Sequence, residues 1–538
     1  MTQLADPAAT PNGRPHSQEL PPHKRVVIVG AGFSGLALAM RLLEEGIDDF
    51  VVLERDEDVG GTWRDNTYPG CACDVPSHLY SWSFELNPEW SRSYSRQPEI
   101  EEYIRRTTER RGVLPHIRFG YDLVAARWDE NEQRWALETS AGRMTADLLV
   151  SAMGPMSAPS WPDIPGLDTF EGTIFHSGRW NHEHDLSGER VAVIGTGASA
   201  IQFAPKIQPQ VEHVKVFQRT PPWVLPRTDR QTTAFERRLY RRFPAFQRLA
   251  RGLIYARQEL LVPGLVVEPR ILKVLELAAH AHLRKSVGDA ELRERLTPDF
   301  RLGCKRILVS SDWYPALGQD NVEVVTEGID EIRPSAVVTA DGREHEVDTI
   351  ILGTGFRVTD MMGAERVHGR GGLTLNDVWQ GSPQAYLGTT IAGFPNLFFL
   401  VGPNLGPGHT SVIFYAESQV AYILDALRQL DRRGASSFEV RPDVQEAYNG
   451  ALQERMRGSV WTDGGCNSWY IDKTGKNTTL WPGFSWELRL RTRRFDTRNY
   501  RLDAAPERDG ADANEDAGAA RDGAERERGA AGEAVAAA

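Results

Sequence analysis

Two glycine-rich turns mark the places where this chain could grip phosphate. In the first, Gly30, Gly32 and Gly35 form G-x-G-x-x-G, with Phe33 and Ser34 between the last two glycines. An apolar strand, "RVVIV", precedes the turn, and a helical run, "LALAMRLLEEG", follows it. The three glycines allow a tight turn, approach of backbone to a pyrophosphate, and close helix–strand contact. The helix start behind them offers free N–H groups to an anion. Glu54 ends the next strand, 19 residues after Gly35, where a carboxylate would accept hydrogen bonds from ribose hydroxyls. The order recurs about 165 residues later, as Gly195, Thr196, Gly197, Ala198, Ser199 and Ala200. There the second strand ends in Arg219 and Thr220 rather than in an acid. A carboxylate would repel an extra 2′-phosphate, whereas a guanidinium holds one with paired, charge-assisted bonds. The first turn is therefore read as an FAD site and the second as an NADPH site. Arg219 as a solvated surface cation is the plainer alternative.

Between the turns runs a Pro-rich connector, Gly154–Trp180, with Phe170, Gly172, His176 and Trp180 at the spacing F-x-G-x-x-x-H-x-x-x-W. It reads either as a plain linker or as a working joint between two cofactor sites. A chain with two dinucleotide sites passes hydride from NADPH to flavin. The reduced flavin must then deliver electrons to oxygen, to a quinone or metal, or to a protein partner.

The elements that would position these groups imply an α/β fold class: two nested Rossmann-like dinucleotide-binding domains, for FAD and NADP, with an inserted helical lobe. The expected division is a disordered tail over 1–22, FAD domain over 23–158, linker over 159–185 and NADP domain over 186–222. A helical insertion then spans 223–302, the NADP domain resumes over 303–346, the FAD domain over 347–502, and 503–538 is a second disordered tail. The insertion is Arg- and Leu-rich at helical spacing, as in "FERRLYRRFPAFQRLARGLI". It reads as a solvated face, a lid over the substrate, or a basic amphipathic surface that touches a membrane.

The chain has 538 residues, 41% hydrophobic and 25% charged, so a large core is affordable and global disorder is excluded. Its net charge of −12 argues against nucleic acid as the main partner. No apolar run approaches the ~18 residues that span a bilayer, and the N-terminus lacks a signal-peptide pattern. Cys71, Cys73, Cys304 and Cys466 form no disulfide framework and no metal site, so all four are expected as reduced thiols in a cytoplasmic protein.

The arrangement resembles the type I Baeyer–Villiger monooxygenases, within the wider flavin-containing monooxygenases, over roughly residues 24–500. Phe170, Gly172, His176 and Trp180 match that family's fingerprint, which makes His176 a joint residue coupling the domains. The segment "GGTWRDNTYPGCACDVPSHLYSWSF" resembles the family's flavin-covering stretch, implying FAD contacts at Gly61, Thr62, Trp63, Asp74 and Tyr80, with Val124 further on. Thr67 stands where many members have Arg. "GCKRILVSSDWYPAL" resembles the Lys-Arg segment and gives Lys305 and Arg306; "CNSWYIDKTGKNTTLWPG" resembles the NADP-covering loop and gives Trp469, which otherwise reads as core. The resemblance implies a peroxyflavin that must stay anionic to attack a ketone. Arg306 would stabilise it, Asp74 would orient Arg306, and Lys305 would help Arg219 with the 2′-phosphate. Asp74 read alone is a turn residue capping Val75–Ser77. In "GPNLGPGHTS", Asn404 is assigned to the flavin side, though both Asn404 and His409 also read as turn-formers.

The implied reaction is insertion of one oxygen atom beside a ketone carbonyl, giving an ester or lactone. Oxidation of N or S heteroatoms, and an NADPH oxidase or electron-transfer flavoprotein, are the alternatives. The implied partners are a small ketone and O2, with no metal, no nucleic acid and no integral membrane segment, in a monomer or weak homo-oligomer.

Overall fold

The structure is a computed structural model, and it describes residues 19–358 and 363–504. Two sheets organise it. The first has eight strands, with His23–Val29 at the centre between Phe50–Glu54 and Gly142–Ser151. Ile117–Phe119 extends one edge. On the other side Gly142–Ser151 pairs with Arg134–Thr139, which in turn pairs with Leu123–Asp129 and then Val367–His368. Leu397–Phe399 also runs parallel to Gly142–Ser151. Val26, Val27 and Ile28 are completely buried, as a parallel strand covered on both faces must be. The first dinucleotide helix, Phe33–Glu44, packs its Leu- and Ala-rich length against the long helix Val412–Arg433.

The second sheet is five parallel strands in the order Val322–Val325, His213–Phe217, Arg190–Ile194, Thr349–Leu352, Thr173–His176. Two expectations change here. The first domain does not resume at residue 347, because Thr349–Leu352 lies inside the second sheet. Its run of buried aliphatics suits either sheet; Asp348 decides, accepting bonds from the backbone N–H and the guanidinium of Arg190. Nor is 159–185 only a linker, since Thr173–His176 is the edge strand of that sheet.

Residues 223–302 carry the helices Ala234–Arg242, Pro244–Glu259, Lys273–Ser286 and Ala290–Arg295. The neck of this lobe is a two-residue parallel ladder, Val224–Leu225 with Leu308–Val309. Of the expected tails, residues 19–22 are described, and Asp503 and Ala504 belong to the strand Tyr500–Ala504, paired with Ala435–Val440. The remainder of both tails lies outside the described residues.

The first glycine turn is close-packed. A Cβ on Gly35 would lie 2.0 Å from the Gly30 carbonyl oxygen, a backbone atom with little freedom to retreat. Gly35→Ala is expected to destabilise the FAD-loaded protein by about 2–3 kcal/mol through overpacking, read as a lowered midpoint of thermal unfolding. Gly252→Ala, on an open helix surface, should leave that midpoint unchanged or slightly raised.

Candidate active site

At the first turn the helix Phe33–Glu44 begins at Gly32 with no side-chain cap and no acid in its first turn. Its leading N–H groups, including those of Phe33, Ser34 and Gly35, are thus left for an anion. Glu54 is buried and accepts from the N–H of Ala31 (2.8 Å) and of Asp56 (3.1 Å), and from Arg64 (3.2 Å). Burial raises its carboxyl above the ordinary range despite these donors. Gly61 passes close to Gly32 and leads into Thr62 and Trp63. Trp63 Nε1 donates to the Tyr80 hydroxyl at 3.0 Å, and the Tyr80 ring meets Phe33 edge-on at 5.3 Å. Val124 lies exposed on the strand Leu123–Asp129.

Across the cleft wall, the Asn404 side-chain amide donates to the carbonyls of Asn477 (2.7 Å) and Leu480 (3.3 Å), pinning two loops together. His409 pairs through Nε2 with Glu259 at 3.1 Å. His409 Nδ1 and the Thr410 hydroxyl are buried with no protein partner, just before the helix Val412–Arg433. Orphaned polar atoms here, and the uncapped start of the helix Phe33–Glu44, are what a polar cofactor would satisfy, so the residues present fit FAD.

The second turn fits NADP on similar grounds. Its helix Ala200–Ile207 starts at Ser199, again with no side-chain cap and no acid in the first turn. Gly195 backs onto Gly353, and the Thr196 hydroxyl donates to the Thr220 carbonyl at 3.3 Å. Gly197, Ala198 and Ser199 complete the turn. Arg219 is exposed, and no carboxylate pairs with it among the described residues. Lys305 comes close enough that Arg219, after burial, pushes its pKa below the ordinary range, and Asp299 offsets this only in part. Two cations from distant parts of the chain converge here, which costs Coulomb energy unless an anion joins them.

Arg306 pairs with Asp74. Its Nε and Nη2 donate to the same Asp74 oxygen, at 2.9 and 2.6 Å. The Asp74 carboxylate is the main reason the guanidinium's pKa is raised, with Tyr470 and Cys73 adding to it and burial opposing it. About 40% of the Arg306 side-chain surface and 22% of that of Asp74 are exposed, so the pair is partly open to solvent. Tyr80, next to Phe33, also feels the Asp74 and Arg306 charges. Consecutive residues thus face opposite ways: Lys305 toward Arg219, Arg306 toward the Tyr80 side. Asp74 makes no capping bond to Val75 or Ser77, whose N–H groups go to Cys73 Sγ and the Ser93 carbonyl.

The connector residues pack into the joint. His176 is buried, accepts from the Gly178 N–H at Nδ1 (3.0 Å), and meets the Phe356 ring edge-on. Its Nε2 reaches no partner at hydrogen-bond distance, although the nearby Gly355 carbonyl favours protonation slightly. Burial outweighs this and lowers the ring's pKa to about 4, so His176 is neutral near pH 7. A Cβ on Gly172 would lie 2.2 Å from the Asp348 carbonyl oxygen and 2.5 Å from the Phe170 ring. Trp180 packs between Phe175 and Phe203, the latter on the second dinucleotide helix.

Sequence reading missed two features. Gln202, on that same helix, brackets Ala72: its carbonyl accepts from the Ala72 N–H (3.1 Å) and its amide donates to the Ala72 carbonyl (3.0 Å). Gln202 also accepts from the Tyr68 hydroxyl at 3.2 Å, so the Asp74 segment is clamped to the second domain. A Gln inside a helix carries no motif that would reveal this. The second feature corrects an expectation: Cys304 and Cys466 form a disulfide across 162 residues of sequence, and only Cys71 and Cys73 are free thiols. No local spacing announces a pair that the fold alone brings together. The bond ties the residue before Lys305 to the loop carrying Trp469, whose half-exposed ring stacks edge-on against Tyr470 and is not core.

The family described as flavin-binding monooxygenase-like matches residues 23–256. A "Baeyer-Villiger monooxygenase" of Streptomyces coelicolor is 52% identical over 495 residues, 92% of this chain and 95% of that protein. A second of that name, from Pseudomonas aeruginosa, is 50% identical over 90% of this chain and 92% of its own length. Among solved structures, OTEMO in complex with FAD and NADP superposes with a TM-score of 0.80 at 28% identity, covering 90% of this chain and all of that one. Among the described residues no helix is long and apolar enough to cross a membrane.

If the disulfide holds the Trp469 loop against the cleft, Cys304→Ser should weaken NADP⁺ binding by roughly three- to tenfold, about 0.7–1.4 kcal/mol. Equilibrium titration of the FAD-loaded protein reads this, with bound FAD unchanged as the control.

Proposed function

The chain belongs to the Baeyer–Villiger monooxygenases of the flavin-binding monooxygenase-like family, and on that footing we propose that Arg306, held by Asp74, is the cation of its oxygen-transfer step. The enzyme uses FAD and NADPH to insert one oxygen atom of O2 beside a ketone carbonyl. Ketone, O2, NADPH and a proton give ester or lactone, water and NADP⁺. Bound FAD supplies the redox chemistry, accepting two electrons from NADPH and passing them to O2.

The observation that supports these roles is the Asp74–Arg306 pair, next in the chain to Lys305, whose pKa burial and then the nearby Arg219 lower. Attack on a carbonyl builds negative charge on oxygen, and a fixed cation in a partly dry cleft stabilises it without reorganising. Arg keeps its proton under all working conditions, which Lys would not. Asp74 engages Nε and Nη2 with one oxygen, and this leaves Nη1 for the reacting oxygen. Arg219 and Lys305 hold the 2′-phosphate of NADPH. The uncapped helix starts at Gly32 and Ser199 hold the two pyrophosphates. Gly61, Thr62, Trp63 and Tyr80 wall the flavin side, with Val124 and Asn404 beyond them, and Trp469 covers the nicotinamide dinucleotide. His176, neutral and buried, positions the joint and moves no proton.

The partners that follow are a small ketone and O2. A monomer or weak homo-oligomer is the assembly proposed. The cytoplasm, where NADPH is made, is the compartment proposed.

Arg306→Ala should keep FAD and most of its reduction by NADPH but lose ketone oxygenation by about 10²–10³-fold. A ketone panel read by mass spectrometry for a gain of one oxygen checks this. Equimolar hydrogen peroxide from the unaltered enzyme with every ketone would overturn the reading. Arg219→Ala should raise the Michaelis constant for NADPH by an amount corresponding to about 1.5–3 kcal/mol, with little change for NADH. Equal losses with both dinucleotides would refute the phosphate role.

A further inference from the structure

The helical lobe turns two different faces outward and inward. Along the helix Pro244–Glu259, Gln247, Arg251, Tyr255 and Glu259 face the body. Gln247 bonds the Asn87 carbonyl, Arg251 the carbonyls of His78 and Ser81, and Glu259 the Ser485 N–H. The opposite face is apolar and uncovered. Phe246, Leu249, Leu253 and Leu260, spaced by three, four and seven residues, form one stripe, and each is between 50% and 75% exposed. Val274 and Leu277, one turn apart on the helix Lys273–Ser286, are equally bare. An apolar stripe of this size on a soluble chain marks an interaction surface.

Charge identifies its partner. Residues 234–286 hold eleven Lys and Arg against four Asp and Glu, a net +7 in a chain whose total is −12. Arg257 stands within the stripe, four residues past Leu253 and three before Leu260, and no acid pairs with it among the described residues. A second copy docking face to face would set two net-positive lobes against each other, since a two-fold interface uses the same patch on both sides. An anionic bilayer surface accepts both features, seating Phe and Leu at the headgroup–acyl boundary while its phosphates draw in the Arg side chains. We propose that this face of the lobe docks the enzyme on an anionic lipid surface. The inference is independent of what the cleft oxidises.

The test is sedimentation of the full-length, FAD-loaded enzyme with vesicles of phosphatidylcholine alone, or with about one-third phosphatidylglycerol. It should pellet with the anionic vesicles only and be released by ~0.5 M salt, which screens the charges. Leu249→Gln combined with Leu253→Gln should cut the bound fraction by about tenfold and leave NADPH oxidation in the absence of vesicles unchanged. Binding to neither vesicle, equal binding to both, or binding that the double variant does not reduce would each overturn the proposal. So would a dimer in velocity sedimentation that the double variant dissociates while vesicles stay unbound, which would make a second copy the occupant.

Discussion

A guanidinium inside a protein must be held charged, held still, and left with a donor to spare. The Asp74–Arg306 pair meets all three conditions, and much of the fold is arranged around it. Burial lowers the guanidinium's pKa, and the Asp74 carboxylate more than compensates. Removing either partner would leave the other charge unmatched in a partly exposed site. The two residues lie 232 positions apart, so the pair exists only while the segments that carry them stay in register. Gln202 fixes the Asp74 side by gripping Ala72, and the disulfide at Cys304 fixes the Arg306 side.

The two dinucleotide units are therefore mechanically joined beside the Asp74–Arg306 pair. The joint is made of shape and neutral polarity. Gly172 leaves room for the Phe170 ring and the Asp348 backbone; Trp180 fills the gap against Phe203; His176 stays uncharged in a place where an imidazolium would be expensive.

The parts of this design legible in the sequence are those that local physics dictates. A strand, three glycines, a helix and an acid lie within one short stretch, because pyrophosphate binding needs them in contact, and Arg219 stands where the second turn lacks that acid. Arg306 and Asp74 were legible only through likeness to a known family, since nothing local tells a paired Arg from a surface one. What stayed hidden depends on distant chain. Thr349–Leu352 reads as a strand in either sheet, and only its Arg190–Asp348 contact assigns it. Gln202 looks like any helical Gln, and Cys304 and Cys466 have no spacing that links them.

The narrow neck of the lobe has a mechanical corollary. Its second half, Leu308–Val309, begins two residues after Arg306, and its first half ends the segment that leads out to the helices. The lobe's attachment is thus continuous with the backbone beside Arg306, so whatever the lobe rests on bears on the stretch that carries the cation proposed for oxygen transfer.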